Sequence, residues 1–137
     1  MNNLLKSEPT ACDPHQRSFS NERPIYLQLA EMLKLRILIG SYRPGERLPS
    51  VRELAGEYMV NPNTLQRAMS ELEGLGLITT QRTVGRTITD DTALIEAQRR
   101  RLAESYIDDF ISRMSSIGCS REQIYALLNE RKDINNG

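Results

Sequence analysis

The chain has 137 residues, 18 Lys or Arg against 18 Asp or Glu, two cysteines and one histidine. That length holds one compact domain with appendages, and the balanced charge neither demands nor forbids a nucleic-acid partner. Cys12, Cys119 and His15 are too few for a zinc site or a disulfide framework, so the cysteines read as thiols of a reducing cytosol. With no apolar run long enough for a bilayer or a signal peptide, the expected location is the cytoplasm, away from membranes.

Residues 1–22 mix Asn, Ser, Pro, Glu and Arg without periodicity and are expected as a flexible arm. A first helix starts at Pro24, whose missing N–H would be unpaired in a first turn anyway. Ile25, Leu29, Leu33 and Ile37 recur every four residues as its buried stripe, and Gly40 ends it. Arg43-Pro44-Gly45 is turn chemistry. The second helix opens on a capping box, in which Ser50 accepts from the backbone N–H of Glu53 and Glu53 reaches back to that of Ser50. Leu54, Ala55, Tyr58 and Met59 form its inner face, and it ends near Val60.

Asn61 caps and Pro62 opens a third helix. Its inward residues are Leu65, Ala68, Met69, Leu72 and Leu75, and Gly76 stops it. Its other face shows Asn63, Gln66, Arg67, Ser70, Glu71 and Gly74. The short gap between the second and third helices suits a helix-turn-helix. Leu77-Ile78-Thr79-Thr80 and Thr87-Ile88-Thr89 then flank a polar, basic loop containing Gly85, which reads as a hairpin.

From Asp90 a long helix carries the apolar stripe Leu102, Ala103, Tyr106, Ile107, Phe110, Ile111, Met114 and Ile117. Gly118 breaks it. Ser120 with Gln123 forms a second capping box, with Cys119 and Ile124 as a hydrophobic staple. A short last helix carries Ile124, Leu127 and Leu128.

This order predicts a mainly α fold. A winged helix-turn-helix domain, three helices plus a β-hairpin wing, fills residues 23–89, and a two-helix dimerisation tail fills residues 90–137. Residues 24–89 hold eight basic against six acidic side chains, a small surplus in the direction DNA requires. The third helix is narrow enough for the major groove, N-terminal residues first. Asn63 and Gln66 can donate and accept, matching the edge of adenine; Thr64 can bond to a base or phosphate, and Arg67 can fork onto guanine or a phosphate. Arg52 is placed for a phosphate or an adjacent base. At the wing, Gly85 admits close backbone approach, while Arg82 or Arg86 can enter the minor groove or neutralise phosphate. A module that docks on a partner protein is the competing class. Nothing suggests catalysis, since there is no phosphate-cradling glycine loop and no nucleophile–base motif.

The runs Pro24-Ile25-Tyr26, Gly40 to Ser50, Val51-Arg52-Glu53-Leu54-Ala55 and Glu71 to Ile78 carry a further message. On these residues the segment resembles the GntR family of bacterial regulators. Val60-Asn61-Pro62-Asn63-Thr64 and the short tail are similar to its YtrA-type members. The resemblance implies a regulator, a repressor in the first reading, that binds a near-palindromic operator on double-stranded DNA as a homodimer. The family's contact positions fall on Arg52, Asn61, Asn63, Thr64, Gln66 and Gly85. Two departures are Pro62 and Gln66, where many relatives carry arginine. No cofactor is implied. An unidentified small-molecule effector would need a cleft between tail and wing, or between subunits, because the tail is too short to enclose a pocket.

Dimerisation is assigned to Leu102, Tyr106, Ile107, Phe110, Ile111, Met114, Ile117, Ile124, Leu127 and Leu128. The stripe is longer than the short last helix can cover, and two helices alone have too little interior to be stable. The apolar face is left to a second copy or to the wing domain.

Overall fold

The computed structural model describes residues 19–132. Most of the arm expected over residues 1–22 therefore lies outside the described residues, as do Cys12 and His15. The chain forms two compact units that divide between Glu96 and Ala97.

The first unit begins with helix α1 (Ile25–Leu38). Pro24 stands just outside it with extended backbone, so the helix opens one residue later than expected. Leu29, Leu33 and Ile37 are buried as read, and Ala30 and Leu38 widen the stripe. Ile25 is a correction: it lies in the first turn, at the open end of the helix, and stays 45% exposed. The residues just before α1 are tied down. Gln28 accepts from Ser20 N–H at 2.9 Å, and its amide donates to the carbonyls of Ser20 and Arg23 at 2.9 and 2.7 Å.

Helix α2 (Val51–Tyr58) carries both arms of the expected capping box, at 3.1 and 3.0 Å. Its end corrects the reading of Met59. With φ at 57° this residue turns the chain left-handed, and its side chain points to solvent instead of the core. Three residues later helix α3 (Pro62–Gly74) begins, with Asn61 Oδ1 accepting from Asn63 N–H at 2.7 Å. Leu65, Ala68, Met69 and Leu72 face inward. Leu75, expected among them, is the C-cap and is partly exposed; Gly76 then turns at φ 80°, and Leu77 fills the inner position. Each such leucine contributes roughly 1.5–3 kcal/mol by leaving water.

Strands β1 (Ile78–Gln81) and β2 (Gly85–Ile88) pair antiparallel, Ile78 opposite Ile88 and Gln81 opposite Gly85. A third run joins them. Arg47 bridges to Thr87, Leu48 N–H donates to the Arg86 carbonyl at 2.9 Å, and Ile88 N–H to that of Glu46 at 2.8 Å. The core lies where α3 meets α1, α2 and β1, built on Leu29, Leu33, Leu54, Leu65, Met69, Leu72, Leu77 and Ile88.

Helix α4 (Thr92–Ser116) starts within this unit. Asp91 Oδ1 caps it by accepting from Leu94 N–H at 3.1 Å. A Cβ on Gly76 would stand 3.0 Å from Leu94, so a side chain there meets both crowding and a backbone angle that disfavours it. The second unit comprises the rest of α4 and helix α5 (Arg121–Arg131). Gly118 turns at φ 87°, and the Ser120–Gln123 box is complete at 3.2 and 2.8 Å. Cys119 is a free thiol. Among the described residues no helix is long and apolar enough to cross a membrane.

Candidate nucleic-acid interface

The outward face of α3 is set by its start. Asn61 uses its own side chain to satisfy a backbone N–H that the first turn leaves open. Pro62 fixes the first dihedral, which leaves Asn63, Gln66 and Arg67 exposed on the turns that follow and Thr64 half-buried. On α2, the capping box holds the first turn so that Arg52 projects into solvent. The same box holds the Glu53 carboxyl below its ordinary range, because the Ser50 backbone N–H and hydroxyl favour its charged form.

Arg67 is not a loose side chain. Its guanidinium stacks over the Tyr26 ring of α1 at 4.0 Å. Stacking fixes the plane of the cation and leaves its N–H edge for an acceptor.

The wing divides its basic residues between two tasks. Arg82 is exposed at the three-residue tip, and Gly85 adopts φ 92° to close the hairpin, with open space where a Cβ would stand. Arg86 points elsewhere than the tip. Its Nη2 donates to Gln66 Oε1 at 2.9 Å, and its Nε lies 3.7 Å from Glu73 Oε2. Glu73 also accepts from the Thr80 hydroxyl. A cleft of about 490 Å³ runs between the start of α2 and the wing, with Arg47, Ser50, Thr80, Gly85 and Arg86 among its walls.

A second cluster joins α1 to α2. Arg36 Nη1 donates to Tyr58 Oη at 2.6 Å and to Glu57 at 3.3 Å, and its guanidinium lies 4.5 Å over the Tyr42 ring. Burial alone would weaken the Arg36 charge; the Tyr58 hydrogen bond, with the neighbouring Tyr42 and Glu57, more than offsets this and raises its pKa. Burial, with the nearby Tyr58 and Glu57, pushes the Tyr42 hydroxyl up to about 12 against the opposing pull of Arg36.

Tyr26, Arg36, Tyr42, Glu73 and Thr80 received no role from sequence reasoning. Tyr26 and Arg36 do stand beside the α1 stripe, a position that invites a partner. Their partners sit on other elements, however, and no local pattern names them.

In the second unit, Tyr106, Ile107, Phe110, Ile117, Leu127 and Leu128 are exposed, and Leu102, Ile111 and Met114 are half-buried. Ile124 differs from the rest of that set, being only 3% exposed already within the protomer. Tyr125, which the sequence reading passed over, is exposed.

A helix-turn-helix with its second helix bared, flanked by a basic hairpin, defines a winged helix-turn-helix DNA-binding domain. A family model described as bacterial regulatory proteins, gntR family, matches residues 25–88. YhcF of Bacillus subtilis, an uncharacterized HTH-type transcriptional regulator, is 36% identical over 106 residues, 77% of this chain and 88% of YhcF. The chain belongs to the GntR family: it is a DNA-binding transcription regulator, not an enzyme. The HTH-type transcriptional repressor YtrA of Bacillus subtilis is 42% identical over 83 residues, 59% of this chain and 64% of YtrA, which bears out the likeness to YtrA-type members. A solved GntR family transcriptional regulator from Listeria monocytogenes matches with a TM-score of 0.76 at 39% identity, over 82% of this chain and 98% of that one.

Proposed function

We propose that this regulator is a cytoplasmic repressor that binds a near-palindromic operator as a homodimer. Residues 23–89 read the DNA and residues 90–137 pair the subunits, with the first turn of α4 folding as part of the reading unit. Arg52, Asn61, Asn63, Thr64, Gln66 and Arg67 face the major groove, and Arg82 with the Gly85 backbone meets the flanking phosphates. Arg86 acts through Gln66. Repression is the reading that the name of YtrA supports.

The observation that carries the dimer is the exposure of Ile107, Phe110, Ile117, Leu127 and Leu128 on a unit of two helices. Apolar side chains at that density on so small a unit cost free energy in water, and a second copy removes them from it. Pairing would set two recognition helices one DNA turn apart, roughly 34–36 Å. It also raises the local concentration of the second reading unit, adding about 10²–10⁴ in affinity with no new base contact.

Sedimentation and operator titration of the full chain test this, beside a variant carrying Ile107→Glu and Phe110→Glu. The full chain should sediment as a dimer, and the variant as a folded monomer with affinity lower by about that factor. A full chain that stays monomeric at tens of micromolar, free and on DNA, overturns the proposal. Loss of the gene should raise transcription from the operator's promoter; a fall would mark an activator.

A further inference from the structure

We infer that Arg86, a wing residue, sets the base that Gln66 reads: by taking the Gln66 carbonyl it turns the amide's donors to the groove and selects guanine over adenine. The inference rests on the reading of α3 as the helix that enters the major groove.

A glutamine amide carries one acceptor oxygen and one donor nitrogen, and a free side chain exchanges them by a half-turn. Fork recognition of adenine needs both at the base edge, the nitrogen donating to N7 and the oxygen accepting from N6. Gln66 is not free to choose. Arg86 Nη2 lies 2.9 Å from its Oε1. A guanidinium only donates, so the half-turned amide would set N–H against N–H. The orientation follows from the chemistry of the pair.

Arg86 is itself held. Its side chain is only 21% exposed, and Glu73 lies 3.7 Å from its Nε while also accepting from Thr80 on the opposite strand. The carboxylate on α3 thus anchors a cation from β2 beside Gln66. The amide then offers N–H donors at the base edge, while the Arg86 charge is itself paired with Glu73. Guanine presents two acceptors, N7 and O6, whereas adenine presents a donor, N6, beside its N7. The second strand of the wing therefore acts on major-groove specificity without touching a base, as a positioning residue.

Selection from a random DNA library tests this with the full-length protein and four variants. Gln66→Ala identifies the base pair, as the one position whose preference vanishes. At that pair the native protein should favour guanine, and Arg86→Ala should shift the guanine-to-adenine ratio toward adenine by about tenfold, within the range of one good base contact. Arg86→Lys, which also only donates, should keep guanine. Arg86→Ala should change nothing further at that pair when Gln66→Ala is already present. If Arg86→Ala weakens all sequences alike and leaves the preference unmoved, the arginine merely braces the wing and the inference is wrong. A native preference for adenine also overturns it. Failure of the native protein to select any sequence would instead overturn the DNA-reading role of α3, and the inference with it.

Discussion

Arg67 shows how a residue expected to act alone is held by another. The Tyr26 ring at 4.0 Å limits the planes its guanidinium can adopt, so less freedom is lost when it meets an acceptor. Tyr26→Ala should therefore weaken operator binding by about 0.5–1 kcal/mol, the scale of an exposed cation–π contact. Arg67→Ala should cost about 1–3 kcal/mol where the side chain reads a base. Adding Tyr26→Ala to Arg67→Ala should cost nothing more, since the ring acts through the arginine. Operator titrations at fixed salt measure all three. A full additional loss in the double variant would mean that the tyrosine contacts DNA on its own account.

At the scale of the element, the wing separates its two arginines by position along one hairpin. Arg82 is exposed at the tip, while Arg86 is engaged on α3. Replacing Arg82 with alanine should flatten the dependence of log K on log salt by about one phosphate contact, a slope change near 0.9. An unchanged slope would show that the tip stays clear of the backbone. Most elements were legible in the sequence because their ends are written in local chemistry: Ser50 with Glu53, Asn61 with Pro62, Gly76, Gly85, and Ser120 with Gln123. The bridge at Glu46–Leu48 was not legible, since three residues carry no alternation and its partner strand lies beyond two helices. Separation in sequence also hid the inward turn of Arg86 and the Tyr26 stack. Met59 was misread because a left-handed cap is usually glycine, and a methionine there reads as core.

For the folded molecule, the Arg36–Tyr42–Tyr58 cluster makes stability depend on pH. The folded state holds the Tyr42 proton up to about 12, while the unfolded chain releases it near 10.0. Between those values the unfolded chain binds fewer protons, so stability falls as pH rises. Below about 10 the contribution is complete. Tyr42→Phe keeps a ring under Arg36 and removes the ionisable group, so urea midpoints at pH 8 and pH 11 should diverge less in the variant than in the native protein. An equal divergence would assign the alkaline loss to other groups. Because Glu46 and Leu48 are hydrogen-bonded to β2, the wing is laced into the loop that precedes α2. A chimaera that imports α3 alone from a relative would cut across the Gln66–Arg86 pair, and one that imports the hairpin alone would cut across both this pair and the lacing. On the proposed reading, specificity should be exchangeable only as one block, from the loop before α2 to the end of β2.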